Sequence, residues 1–322
     1  MPTELNIGVD IGNYDTKTQG TITPSSFSKY KTEPLMAGEV LTFNGSYYIT
    51  TTARDNQEKD KTKDDYALIM TLFAIAKEII RQVHNPNSSN DLQKEVDEVT
   101  SIRLAEGLPV GYFSELSKPT ANYFKEAFKN GVSFAYKGDS TRMKNIIFNL
   151  KVTHVGIYPQ DITGVAQNPN LSVPSSFDDY YIIGMGGGTV DIIPMENKLP
   201  QVPKCVSLTK GTTEMYKAIS TYLQQNGYGA KDYQLIEKII AGKNTIVPAE
   251  EKNIINECVE NYADKLVEDL THRGLKLRDY PTVFIGGGAL LLKPFLTKNP
   301  AFRKIEFVEN VNANAYYYAR AI

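Results

Sequence analysis

At 322 residues the chain is too long for one small core and fits two domains of ordinary size. Its 41% hydrophobic and 22% charged content are those of a soluble globular protein, and a net charge of -2 excludes a global basic field for nucleic acid. The only cysteines, Cys205 and Cys258, exclude a disulfide framework and a cysteine zinc site. No apolar run nears the roughly 20 residues of a membrane span, and a first strand beginning within about five residues leaves no room for a leader. The expectation is a cytoplasmic protein with no membrane contact and no direct nucleic-acid binding.

In chain order, Ile7, Val9 and Ile11 predict a buried strand, Gly12-Asn13 a tight turn with positive φ, and the stretch from about Thr16 a returning strand. Such a tip exposes backbone N–H groups and reads either as an anion site, with Asp10 and Lys17 at its mouth, or as an ordinary solvent-facing hairpin. Asn44-Gly45 in "VLTFNGSYYIT" predicts a second, two-residue hairpin. The mixed charges from Asp55 to Asp65 read as a solvated loop. Apolar residues from Ile69 to Val83 recur at helical spacing until "HNPNSSND" breaks the pattern. A strand in "EVTSIRLAEGLPV", a helix striped by Tyr123, Phe124 and Phe128, and two strands at 146–150 and 152–158 follow. The second half predicts a strand in "YYIIG", a glycine turn and a strand in "TVDIIPM". Three helical segments between Glu214 and Arg273, a strand in "TVFIG", a helix at 290–296 and a last helix after Asn312 complete it. Strands alternating with helices give an α/β class. His84, His154 and His272 share no metal-ligand spacing and read as structural, and the paired tyrosines read as packing.

"IGVDIGNYDTKT" and "YIIGMGGGTVDII" are both strand, glycine-bearing turn, strand, one in each half of the chain. Two donor-lined hairpins of this kind suit a polyphosphate held from both sides, and "FIGGGALLL" adds a glycine turn entering a helix. Two familiar phosphate motifs are absent. The only Gly-Lys pair, Gly242-Lys243, is followed by Asn244, and in "GMGGGT" the third glycine of a dinucleotide fingerprint is Thr189.

In order along the chain, "DIGNYDTK", "VGIYPQDITGVA", "GMGGGTVD", "LTKGTTEM", "FIGGGALLL" and "ENVNANAYYYARA" resemble the phosphate, crossing, nucleoside and adenosine motifs of the actin, heat-shock chaperone and sugar kinase superfamily. Within it, "YPQDITGVA", "NVNANAYYYA" and the "DKTKDDYALIMTLFAIAKEI" helix are most similar to the bacterial actin-like group that segregates plasmids, the ParM and Alp type. The resemblance implies an actin-like ATPase fold of two similar domains flanking a nucleotide cleft. Residues 1–158 plus 310–322 would form the first, with a small inserted subdomain at about 30–100, and residues 159–309 the second.

It also implies roles. Asp10 would hold Mg2+ through water and Gln160 would orient the attacking water. Gly12, Asn13, Tyr14 and Asp15 with Lys17 would form the first phosphate clamp, and Gly186, Gly187, Gly188 and Thr189 the second. Lys210, Gly211, Thr212 and Glu214 on one side and Gly287, Gly288 and Ala289 on the other would hold the nucleoside of ATP or GTP. Tyr14 reads either as part of the clamp or as core filler, and Asp191 either as a holder of metal-bound water or as a strand-end cap. Asp161 reads as the cap of a helix starting near Ile162. One place departs from the pattern: Gly184 stands where the group carries an aspartate, which implies slow hydrolysis unless Asp191 or Gln160 compensates. The implied function is a nucleotide-driven filament that assembles with itself, hydrolyses ATP or GTP and segregates plasmid DNA through a DNA-bound adaptor. The alternatives are a small-molecule kinase or activator ATPase on the same fold, and a non-hydrolysing scaffold.

Overall fold

The structure is a computed structural model and describes residues 3–34, 38–52, 60, 62–84, 91–141 and 144–322. The charged stretch 55–65 and the break "HNPNSSND" fall in part outside the described residues. The chain divides into two compact units, Met1–Gln167 with Asn312–Ile322, and Asn168–Val311. In chain order the first unit holds β1 (Thr3–Ile11), β2 (Asp15–Lys17), β3 (Ile22–Pro24), β4 (Phe27–Tyr30), β5 (Val40–Phe43), β6 (Ser46–Thr50), α1 (Tyr66–Val83), α2 (Leu92–Asp97), β7 (Val99–Leu108), α3 (Val110–Phe128), β8 (Val132–Lys137), β9 (Ile146–Pro159) and α4 (Ile162–Ala166). The second holds α5 (Val173–Ser176), β10 (Tyr180–Met185), β11 (Val190–Glu196), β12 (Leu199–Pro200), β13 (Val206–Leu208), α6 (Thr212–Gln225), α7 (Tyr233–Ile240), α8 (Ala249–His272), β14 (Thr282–Ile285), α9 (Gly287–Leu296) and β15 (Ile305–Phe307), after which α10 (Ala313–Ala321) returns to the first unit.

In the first unit the described strands form one sheet in the order β3-β2-β1-β7-β9-β8-β5-β6-β4. Its middle, β1-β7-β9, is parallel, and the remaining pairings are antiparallel. Parallel strands need both faces covered; α3 and α10 pack on β1, β7 and β9, and α1 adds an apolar face in which Ile69, Met70, Leu72, Phe73, Ile75 and Ile79 are all fully buried. The Asn44-Gly45 hairpin forms as the sequence predicts, with φ values of 47 and 69 degrees that match a type I′ turn. The two strands expected at 146–150 and 152–158 are one, because β9 pairs with β8 through Leu150 and then with β7 from Lys151. The polar residues at that join mark a change of neighbour rather than an end. The stretch around 30–100, expected as a small inserted subdomain, shares the sheet and one continuous core with β1, since Leu41, Tyr48 and α1 pack with Ile7 and Val9.

Helix α10 lies directly on β1, and Gly8 is the reason it can: a Cβ there would stand 1.9 Å from the Ala315 carbonyl oxygen. Asn6 then ties the helix end by donating from Nδ2 to the carbonyls of Ala319 (3.1 Å) and Ile322 (2.8 Å).

In the second unit the described strands run β12-β11-β10-β14-β15, with β13 also on β11. Strands β10, β14 and β15 are parallel; β10 and β14 are buried, as their apolar runs predict, β15 is half-buried, and β11 returns antiparallel to β10. Helices α6, α7 and α8 are the three segments expected between Glu214 and Arg273. Helix α9 starts at Gly287 rather than 290, its glycines being helical in spite of their low propensity.

Candidate functional site

In the first unit the carboxyl end of β1, the turn after β9 and the start of α10 converge, at the edge of a parallel sheet where ligands of α/β proteins bind. Asp10 is half-buried between the buried Val9 and Ile11. Its Oδ1 accepts from Gln160 Nε2 at 2.5 Å, and its Oδ2 from Asn314 Nδ2 at 3.3 Å. Lys17 stands directly opposite Asp10 in the β1–β2 ladder, so both side chains leave the same face. Asn314 also exchanges two bonds with Asp161. The Asp161 N–H donates to Asn314 Oδ1, and Asn314 Nδ2 donates to Asp161 Oδ1, both at 3.0 Å. Behind this cluster the Tyr318 hydroxyl is fully buried with no partner among the described residues. Burial first, then the carboxylates of Asp10, Asp161 and Glu106, push its pKa well above the usual phenol range.

The β1–β2 turn differs from expectation in detail. Neither Gly12 nor Asn13 has a positive φ, and β2 starts at Asp15. Gly12 is required for closeness instead, since a Cβ would stand 2.7 Å from the Asp15 carbonyl oxygen. The Gly12 N–H is spent closing the turn on the carbonyls of Asp10 and Asp15, each at 3.1 Å, so it cannot also serve a ligand. Tyr14 is half-buried. Asp161, expected as a helix cap, makes no capping bond; its φ of 65 degrees turns its carboxylate toward Asn314.

In the second unit, the four residues Gly186 to Thr189 connect β10 to β11. The carbonyls of Gly186, Gly187 and Gly188 accept from the N–H groups of Thr212 (3.1 Å), Thr213 (2.9 Å) and Gly211 (3.2 Å). In a trans peptide the N–H points opposite to the preceding C=O. The N–H groups of Gly187, Gly188 and Thr189 are therefore turned away from the 211–213 segment, side by side, as in a backbone anion nest. Gly211 permits the approach, because a Cβ would stand 2.3 Å from the Gly187 carbonyl oxygen. The 211–213 amides thus position the turn and are not free donors for a nucleoside. Gly288 packs on the same assembly, where a Cβ would meet Thr212 at 2.7 Å and Met185 at 2.9 Å.

Asp191 is buried, with Oδ2 accepting from the Thr189 hydroxyl at 3.1 Å and Oδ1 from the Ser207 hydroxyl. It stands directly opposite Gly184 in the β10–β11 ladder. Of the expected nucleoside residues, Lys210 is exposed with its ammonium 2.5 Å from Asp269, a hydrogen bond that holds the Asp269 carboxyl below the usual carboxylate range. Glu214 is exposed, Gly287 half-buried, and the Ala289 side chain fully buried, so Ala289 can offer only its backbone. His84 lies beside Glu95 at 3.5 Å, while His154 and His272 are exposed. Among the described residues no three His, Cys, Asp or Glu side chains form a metal-ligating group, and no helix is long and apolar enough to cross a membrane.

Asn314 and Ser207 are the residues that sequence reasoning did not single out. An asparagine among the alanines and tyrosines of "NANAYYYA" is a weak signal, and its partners lie 153 and 304 positions away.

A family described as archaeal actin homologue MreB-like, C-terminal, matches residues 182–298. No curated protein matches the chain. Among solved structures, the archaeal actin homologue Ta0583 superposes with a TM-score of 0.73 at 17% identity over 98% of both chains, and it has also been solved in complex with ADP. A 15-stranded ParM filament from Clostridium botulinum gives 0.67 at 14% identity over 98% of this chain and 97% of that one. Bacillus thuringiensis ParM with ATP gives 0.65 at 12% over 99% and 98%. The chain therefore has the mixed α/β fold of actin homologues.

Proposed function

We propose that this chain is a nucleotide-driven, filament-forming actin-like protein of the ParM and Alp type, which binds ATP or GTP with magnesium and hydrolyses it to control filament turnover. The observation that carries the reading is the row of Gly187, Gly188 and Thr189 amides, aimed away from the segment that fixes them, on a fold whose solved relatives include complexes with ADP and ATP and a filament. The β1–β2 turn of the first unit would offer phosphate donors of its own, from Asn13 onward, with Lys17 as a point charge. Lys210, Gly211, Thr212, Glu214, Gly287, Gly288 and Ala289 belong to the segments that would border the nucleoside. A DNA-bound adaptor would couple filament growth to plasmid movement.

The residues present fit a magnesium ion held largely by water. Magnesium takes one or two protein carboxylates and keeps several waters, and Asp10 is a single carboxylate already oriented by two amides. When bound, the ion would neutralise charge on the phosphates. Gln160 donates its Nε2 to Asp10, which fixes the amide plane and leaves Oε1 to accept from a water. A glutamine so held orients the nucleophile without taking its proton. Asp191 projects from the face on which a residue-184 side chain would stand, since opposite residues of an antiparallel pair share a face. It thereby supplies the carboxylate that Gly184 lacks.

Sedimentation, light scattering and phosphate release with ATP and with GTP, each with and without magnesium, test the reading. Nucleotide-dependent pelleting with phosphate release supports it. A protein that stays monomeric with both nucleotides refutes it, and turnover that needs an added acceptor would assign a kinase instead.

A further inference from the structure

Asp161 is the centre of a classic γ-turn. Its φ is 65 and its ψ -41 degrees, and the Ile162 N–H donates across it to the Gln160 carbonyl at 2.7 Å. That conformation is rare and strained, costs on the order of 1–3 kcal/mol, and persists only where its surroundings over-determine it. Three bonds contribute here. The Gln160 N–H donates to the Leu108 carbonyl at 2.8 Å, which ties the turn to the end of β7. The other two are the pair exchanged between Asp161 and Asn314, each at 3.0 Å. The same Asn314 Nδ2 faces Asp10 Oδ2 at 3.3 Å, on the carboxylate whose other oxygen takes the Gln160 amide.

We infer that Asn314, from the first turn of α10, is a positioning residue for hydrolysis: it holds the strained turn at Asp161 so that the adjacent Gln160 side chain stays seated on Asp10. This rests on the hydrolytic reading proposed above. Asn314 is half-buried, and alanine is the better helix former, so α10 itself does not need an asparagine at this place. What needs it is the turn. Without Asn314 the Asp161 N–H loses its acceptor, the γ-turn can relax toward an ordinary conformation, and rotation at Asp161 carries Gln160 away from Asp10.

The test is a double-mutant cycle of Asn314→Ala and Gln160→Ala, read by nucleotide affinity, by single-turnover phosphate release, and by amide hydrogen exchange at Asp161 in the nucleotide-free protein. Asn314→Ala is expected to leave affinity unchanged, to slow phosphate release by about 10- to 100-fold, as misplacements of around an ångström do, and to add nothing in the Gln160→Ala background. It should also speed exchange of the Asp161 amide while the amides of β9 keep their protection. Asn314→Asp keeps an acceptor for the Asp161 N–H but sets a third carboxylate beside Asp10 and Asp161, and should be at least as slow as Asn314→Ala. Additive losses in the cycle, unchanged exchange at Asp161, or Asn314→Asp at the parent rate would each overturn the inference. A parent protein that releases no phosphate with either nucleotide would overturn the hydrolytic reading instead, and the exchange measurement would still decide whether Asn314 holds the turn.

Discussion

Gly8→Ala should dislodge α10 from the sheet. The new Cβ would stand 1.9 Å from the Ala315 carbonyl oxygen and 2.9 Å from the Ala319 nitrogen, all backbone that cannot swing aside as a side chain would. Reaching an ordinary contact of about 3.4 Å requires the helix to retreat by roughly 1.5 Å. That retreat stretches both bonds from Asn6 Nδ2 to the helix end and opens space beside the fully buried Ala315 and Tyr318. Overpacking typically costs about 1–3 kcal/mol and each lost hydrogen bond about 1, so the sum is about 3 to 5 kcal/mol. Urea denaturation followed by circular dichroism measures it, with Gly38→Ala as the control because a Cβ there meets nothing within 4 Å. The functional consequence follows from position: Asn314 precedes Ala315, so a displaced helix also releases the Asp161 turn, and phosphate release should slow with stability. A Gly8→Ala protein within about 1 kcal/mol of the parent, with unchanged slope against urea, would refute the packing argument.

Gly211→Ala should weaken nucleotide binding by on the order of tenfold or more, because its Cβ would push the Gly187 carbonyl away and spoil the row of amides; unchanged affinity by fluorescent-nucleotide titration would remove the nest from the site. Gly184→Asp should change turnover little, whereas Asp191→Asn should cost on the order of 10²-fold, typical of losing one preorganised polar group; a large gain from Gly184→Asp with a mild Asp191→Asn would show that Asp191 does not fill the place. At alkaline pH stability should fall. Burial, then Asp191, pushes the Cys205 thiol from 9.0 up to about 11, and burial pushes the Tyr66 phenol from 10.0 up to about 12. Both groups release protons more readily unfolded, so the stabilisation is complete below the unfolded values and is lost as pH rises through about 9–11 and 10–12. Denaturation midpoints that stay level from pH 8.5 to 11 would contradict both shifts.

The elements that the sequence by itself determined are those whose causes lie within a few residues. Asn44-Gly45 specifies its turn through its own φ preferences, the apolar stripe of Ile69 to Val83 specifies a helix that must be buried, and the glycine turns at 12 and 186–188 announce two hairpins of one design. The resemblance of those motifs in order carried the fold and the nucleotide expectation with them. Other features depended on groups far along the chain. Asp161 looks like a cap when only Ile162 and its successors are in view, and becomes the centre of a strained turn because Asn314 offers it both an acceptor and a donor. Gly12 and Gly211 read as flexible or ligand-facing, whereas the structure uses them for close approach to the carbonyls of Asp15 and Gly187. Lys151 looks like a strand end until β8 and β7 are seen to take successive halves of β9. In each case local preference is read by neighbours in sequence, while hydrogen-bond partners and steric limits are set by neighbours in space, and only the tertiary structure brings those together.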